Sequence, residues 1–150
     1  MSSSLNSAMS GYRIVRLASG AFSVHSLAHA ETFHPVVGPV AEAQALYVRQ
    51  LHLVERLLGH TGEFVVWDVG LGAAANALTL IGAARDLPCQ VRLISFDHTL
   101  EPLAFALANA KHLPYLSGHE ATLTTLLDCL QTRFVTGNCS VDWNVQLADF

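Results

Sequence analysis

The chain has 150 residues, 51% of them hydrophobic and 13% charged, with a formal net charge of −4. This composition fits one globular domain that can bury a large core, and it excludes a disordered chain. The acidic balance argues against a broad nucleic-acid surface, though seven of the eight basic residues are Arg, and Arg13, Arg16, Arg49 and Arg56 all fall in the first part of the chain.

The opening segment, MSSSLNSAMSGYR, has no basic region followed by an apolar run, so it is no signal peptide, and residues 1–11 read as a flexible leader. No apolar stretch approaches the roughly 18 residues that span a bilayer, and a cytoplasmic location with no membrane contact is expected. The three cysteines, Cys89, Cys129 and Cys139, are odd in number and lack CxxC spacing, which suggests neither a disulfide framework nor zinc.

Residues 12–17 and 21–27 are β-prone runs separated by Ala18-Ser19-Gly20, a hairpin pattern. Glu31-Thr32-Phe33-His34-Pro35 forms a connector. Gly38-Pro39 then starts a helix with proline at its first position, and Gly59 stops it. Val40, Ala43, Tyr47, Leu51, Val54 and Leu58 recur at spacings of three and four, which predicts the buried stripe of that helix. Residues 12–60 thus read as an N-terminal hairpin and helix.

From residue 61 the pattern becomes strand–helix alternation. Residues 64–69 are apolar except for Asp68 and predict a strand buried on both faces. A helix follows at about 73–85, and a second strand, 91–96, ends at Asp97. Thr99 is placed to cap a helix to about 111, and a further helix is expected over roughly 118–133. Residues 141–147 alternate strictly and predict a third strand at a sheet edge.

These strands fit an α/β, doubly wound (Rossmann-like) sheet whose first half has the order 3-2-1. The strand carrying the glycine turn is central in such a fold. With nothing after Phe150 it is left bare, an arrangement that natural sheets avoid. Residues 61–150 are therefore expected to be the first half of a longer domain, or to have that edge covered by another chain.

The chemistry gathers at the strand tips. Gly70-x-Gly72, directly before a helix of small residues, permits close approach of a ligand to backbone. A third glycine is missing, since Ala74 or Ala75 stands there, which tells against a pyrophosphate. Asp97 ends the second strand where an acid can accept both hydroxyls of a ribose, or else where it stabilises a helix N-terminus. Asp149 and Phe150 close the third strand, suited to an adenine amino group and ring or simply to solvent. Asp68 reads as ordering the loop beyond it. Together, Gly, Asp and Asp at three strand tips describe an adenosine site. His25, His29 and His34 straddle a strand end and a connector with no HExxH pattern, so no metal is expected. His34, beside Glu31, reads as a pocket-lining residue or an ordinary loop histidine.

The segment ETFHP, the Gly38 and Glu42–Tyr47 region, VVWDVGLGAAANAL and LISFD, in that order and spacing, resemble the MnmC-like methyltransferases over roughly residues 12–150. These act on tRNA 5-methylaminomethyl-2-thiouridine, methylating the aminomethyl group of the wobble uridine with S-adenosylmethionine. The resemblance implies a class I methyltransferase fold, that cofactor, and tRNA as partner. It assigns cofactor contacts to Asp68, Gly70, Leu71, Gly72, Asn76, Asp97, His98, Asp149 and Phe150. Substrate contacts fall to Glu31, Phe33 and His34. Two departures stand out. Ala73-Ala74-Ala75 replaces a Gly-Thr-Gly-like stretch, and the family's Asp-rich fourth-strand motif, which carries catalysis, would follow residue 150.

Three readings result. The first is an S-adenosylmethionine-dependent methyltransferase, inactive as this piece. The second is a non-catalytic half-fold that self-associates through its uncovered strand. The third is an NAD-binding oxidoreductase fragment, which shares the acid after the second strand but needs the third glycine.

Overall fold

The computed structural model describes residues 11–149. Residues 1–10 of the expected leader, and Phe150, lie outside the described residues.

The N-terminal region is a small antiparallel sheet. Strand β1 (Tyr12–Arg16) pairs with β2 (Phe22–Ser26) through the expected hairpin, and a two-residue strand β3 (Glu31–Thr32) adds to β2. The connector therefore begins as sheet. The Phe33 N–H donates to the Val24 carbonyl at 2.8 Å, which extends the pairing into the segment that reaches the site.

The helix expected to run from Pro39 to Gly59 is interrupted. Helix α1 (Pro39–Ala43) passes into a π-helical turn over Gln44–Arg49, and α2 (Leu53–Leu58) resumes after His52, which sits at φ +51°. The Gln50 N–H reaches back five residues to the Ala45 carbonyl at 3.1 Å, the signature of a π turn. One extra residue per turn rotates the stripe. The buried positions are Ala43, Val48, Leu53 and Leu57, whereas Val40, Tyr47, Leu51 and Leu58 of the expected stripe are exposed.

The main sheet has the order β4-β5-β7-β6. Strands β4 (Glu63–Val69), β5 (Gln90–Asp97) and β7 (Cys139–Leu147) are parallel, and β6 (Gln131–Thr136) is antiparallel to β7. Helix α3 (Ala75–Ala84) connects β4 to β5. Helices α4 (Glu101–Ala108) and α5 (Glu120–Cys129), separated by two 3₁₀ turns, lead from β5 to β6.

Three expectations change here. The helix expected over 118–133 ends at Cys129, where Leu130 adopts φ +58°, and its last residues belong to β6. The strand at 141–147 is therefore interior, flanked by β5 and β6, with Gly137-Asn138 turning the β6–β7 hairpin. Finally, α4 begins at Glu101 and ends at Ala108, with Leu100 at its N-cap. Thr99 makes only a local contact, its Oγ1 accepting from the Glu101 N–H at 3.2 Å.

One face of the sheet is covered. Val91, Leu93 and Ser95 of β5 and Val141, Trp143 and Val145 of β7 are buried with Leu78, Ile81, Leu103 and Leu123 of the helices. The other face is open, so β4 is not buried on both faces. Val65, Trp67 and Val69 are 50%, 70% and 65% exposed, and Trp67 meets Phe96 edge to face at 5.6 Å. Toward β6 the same face turns polar, with Arg133 Nε 3.1 Å from Asp142 Oδ2. The apolar part of this face thus lies against the unpaired edge of β4.

Candidate cofactor cleft

Loop geometry at the tip of β4 follows from its glycines. Gly70 and Gly72 take φ +85° and +53°, conformations that cost a residue with a Cβ roughly 1–2 kcal/mol. Ala74 adopts φ +64° without glycine's freedom, just before α3. The turn is locked internally. The N–H groups of Gly70 and Leu71 both donate to the Phe96 carbonyl, at 2.8 and 3.1 Å, and the Ala74 N–H donates to the Leu71 carbonyl at 2.8 Å. From the far side, the Tyr115 hydroxyl donates to the Ala73 carbonyl at 2.9 Å. Burial holds that phenol well above its usual pKa, so it stays a donor.

Asp97 ties the second strand tip to the first. Its Oδ2 accepts from the Gly72 N–H at 2.9 Å and its Oδ1 from the His98 N–H at 2.8 Å. The side chain is 11% exposed, and the exposed His98 ring places Nδ1 3.1 Å from Oδ1. A carboxylate has about four lone-pair positions, so one is open beside these contacts and a second opens when the exposed His98 ring turns away. The third strand tip is joined by backbone, the Ala148 N–H donating to the Asp97 carbonyl at 2.9 Å. Asp149 follows it and is exposed.

The N-terminal sheet supplies the other wall. Phe33 and His34 join Gly70, Leu71, Gly72, Ala73 and Asp97 around a cleft of about 270 Å³. A Cβ on Gly72 would stand 3.4 Å from Phe33 Cε2, at van der Waals contact, so this ring lies directly on the loop. Tyr12 packs edge-on to Phe33 at 6.5 Å and against Phe105 at 5.9 Å, which fixes the ring from behind. Glu31 stays on β3 opposite Ser26, exposed.

Glu42 positions the segment bearing His34, a role that sequence reasoning did not identify. Its Oε1 accepts from the N–H groups of Val36, Val37 and Gly38 at 2.8, 2.9 and 3.1 Å, while Oε2 lies 3.9 Å from His34 Nδ1. Burial raises the Glu42 pKa, but the three N–H donors and His34 outweigh it, leaving the carboxyl below its usual range. For His34, burial lowers the pKa and Glu42 only partly offsets it, so the ring is neutral near pH 7. An acid four residues after Gly38 was the available signal, since a carboxylate in a first helical turn suits free N–H groups.

Asp68 and Asn76 are elsewhere. With Tyr47 and Trp67 they line a smaller cavity of about 60 Å³ beside the open edge of β4. Asp68 bonds across to β5 instead: its Oδ2 accepts from the Ser95 hydroxyl at 2.7 Å, and that hydroxyl in turn accepts from Trp143 Nε1–H at 2.9 Å. Burial is the main cause that pushes the Asp68 pKa up to about 6. The Asn76 Oδ1 is buried with no hydrogen-bond partner. Of the three histidines weighed as ligands, His25 bonds Thr32 Oγ1 at 2.7 Å, and among the described residues no three His, Cys, Asp or Glu side chains gather as a metal-binding group. No helix among them is long and apolar enough to cross a membrane.

The solved structure of MnmC2 from Aquifex aeolicus matches 94% of this chain with a TM-score of 0.60 and 18% identity. The likeness is one of fold. It supports the MnmC-type α/β architecture that the sequence resemblance implies, and this chain covers 44% of that chain's length. No known protein family matches the sequence, and no curated protein does.

Proposed function

We propose that this chain is the cofactor-binding half of an S-adenosylmethionine-dependent methyltransferase that acts on an aminomethyl group of a modified tRNA uridine. The observation that carries the reading is the meeting of Phe33 and His34 with the Gly70–Gly72 turn and Asp97 around one cleft. The tRNA substrate rests on the sequence resemblance, and the fold likeness to MnmC2 supports it.

The residues present fit an adenosine-type ligand better than a dinucleotide. At Gly70 a Cβ would meet no heavy atom within 4 Å, so the backbone there faces open space. The N–H groups of Gly70, Leu71 and Gly72, however, are all engaged within the fold. A pyrophosphate needs such donors free, as in dinucleotide-binding turns. A ribose needs acceptors instead, and Asp97 offers them. In this reading Gly70, Leu71 and Gly72 carry the cofactor, and Asp97 takes the ribose hydroxyls with His98 beside it. The sequence resemblance assigns Asp149 and Phe150 to the adenine side, while Asp68 and Asn76 line the separate cavity beside β4.

When bound, S-adenosylmethionine supplies an activated methyl group on a sulfonium. The chain's own part is alignment and exclusion of water, with Phe33 covering the loop. The amine reacts in its neutral form, and His34, neutral near pH 7, can accept the proton that the methylated nitrogen releases. Thermal unfolding with each ligand tests the cofactor reading: S-adenosylmethionine should raise the midpoint and NAD should not, whereas the opposite order would favour an oxidoreductase.

A second reading has its own observation. Val65, Trp67 and Val69 are exposed on β4, an edge strand whose outer side has no strand partner among the described residues, a surface that invites pairing with a second copy. Self-association through β4 is compatible with cofactor binding, because the cleft lies at the strand tips.

A further inference from the structure

Cys89 and Cys139 are 50 residues apart in sequence and adjacent in space. Parallel pairing of β5 with β7 begins at Gln90 and Ser140, so the two cysteines directly precede the first paired couple. The Ser140 N–H donates to the Cys89 carbonyl at 3.0 Å, which fixes their backbones, and their Sγ atoms lie 3.2 Å apart. Neighbouring strands run about 4.8 Å apart, inside the Cα separation that a disulfide tolerates. Access is unequal, since Cys139 is fully buried while Cys89 is half-buried. Cys129, the third thiol, is exposed at the end of α5.

We propose that Cys89 and Cys139 form a thiol–disulfide exchange site, in which a small-molecule disulfide such as oxidised glutathione reacts at Cys89 and Cys139 resolves the adduct. The Cys89 thiolate attacks one sulfur of glutathione disulfide, forms a mixed disulfide, and releases one glutathione thiolate. The Cys139 thiol then loses its proton and attacks the Cys89 sulfur, releasing the second glutathione. Two cysteine thiols are oxidised and one glutathione disulfide is reduced to two thiols, which take up the two protons. Burial, first, and the neighbouring Cys89 sulfur hold the Cys139 thiol up at about 12. Capping Cys89 removes the second of these causes, and the 3.2 Å separation keeps the Cys89 sulfur within reach of Cys139 for the second step.

The crosslink staples the starts of β5 and β7, at the opposite end of the sheet from the cleft. It closes a loop of about 50 residues containing α4, α5 and β6. Such a closure raises the unfolding midpoint by about 5 °C or more.

The test incubates the folded chain with oxidised glutathione, quenches in acid, and reads intact mass and linked peptides. The expected product has lost two hydrogens, contains a Cys89–Cys139 peptide pair, melts at higher temperature, and reverts with dithiothreitol. Cys129→Ser should behave alike, and the double variant Cys129→Ser with Cys139→Ser should stop at one glutathione on Cys89. The proposal is overturned if the native wild-type chain takes glutathione only at Cys129, or if its linked pair includes Cys129. A midpoint that does not rise on formation of the Cys89–Cys139 bond would overturn the stapling role.

Discussion

The Gly72 N–H donates to Asp97 Oδ2 at 2.9 Å, so the turn after β4 and the tip of β5 are one unit. The same carboxylate that the cofactor reading assigns to a ribose already organises the loop beneath it. A substitution at Asp97 therefore tests two roles together, and the choice of replacement matters. Asparagine keeps one acceptor for Gly72, whereas alanine removes both.

Gly72 is expected to lose stability on gaining a side chain. Gly72→Ala places a Cβ 3.4 Å from Phe33 Cε2 at φ +53° and should destabilise the fold by ~1–2 kcal/mol from backbone conformation alone. Urea unfolding measures this. Unchanged stability would mean that the loop leaves φ +53° without cost.

Glu42 holds three N–H groups of the segment that carries His34. Glu42→Ala should cost about 1.5–3 kcal/mol, the range for hydrogen bonds to a charged group. Since folding lowers this pKa, the contribution is complete above the unfolded carboxylate range and is lost as pH falls through the lower folded value. A variant whose stability loss is the same at pH 7 and at pH 3 would contradict that role.

Asp68 should show the opposite sign. Its pKa rises on folding from 3.8 to about 6, so its contribution is full below the unfolded value and is lost as pH rises through the folded one. The difference amounts to about 3 kcal/mol at most. Asp68→Asn should flatten the fall in stability between about pH 4 and pH 7, followed by denaturant unfolding across that window. An unaltered profile would show that the carboxyl ionises freely in the folded chain.

Trp67 lies on the open face of β4, 70% exposed, while Trp143 is fully buried. Trp67→Lys should reduce concentration-dependent association in sedimentation velocity and change monomer stability by no more than about 0.5 kcal/mol. Association that persists unchanged would place the contact elsewhere.

The elements most legible in the sequence were those with local causes. The hairpin, β4 with its glycine turn, and β5 ending at Asp97 follow from β-prone runs and glycine positions. The stripe from Val40 to Leu58 misled because a π turn changes the repeat from four to five between Ala43, Val48 and Leu53. Strand β6 was hidden in a helical reading because Leu130 ends α5 in a left-handed conformation that leucine rarely adopts, although Gly137-Asn138 between β-prone runs was a hairpin signal. Gly70, Gly72, Asp97, Phe33 and His34 line one cleft; residue type singled out the glycines, Asp97 and His34, whereas Phe33 came only with the family resemblance. The Glu42 anchor and the Cys89–Cys139 juxtaposition depend on tertiary placement, and no spacing rule in one sequence encodes them.

Calorimetric titration of S-adenosylmethionine into the chain and into Asp97→Asn tests the central claim most directly. The account predicts saturable binding at one site, weakened by ~1.5–3 kcal/mol in the variant, as befits loss of a charge-assisted hydrogen bond. Absence of binding to the wild-type chain, or equal affinity in a folded Asp97→Asn variant, would contradict it.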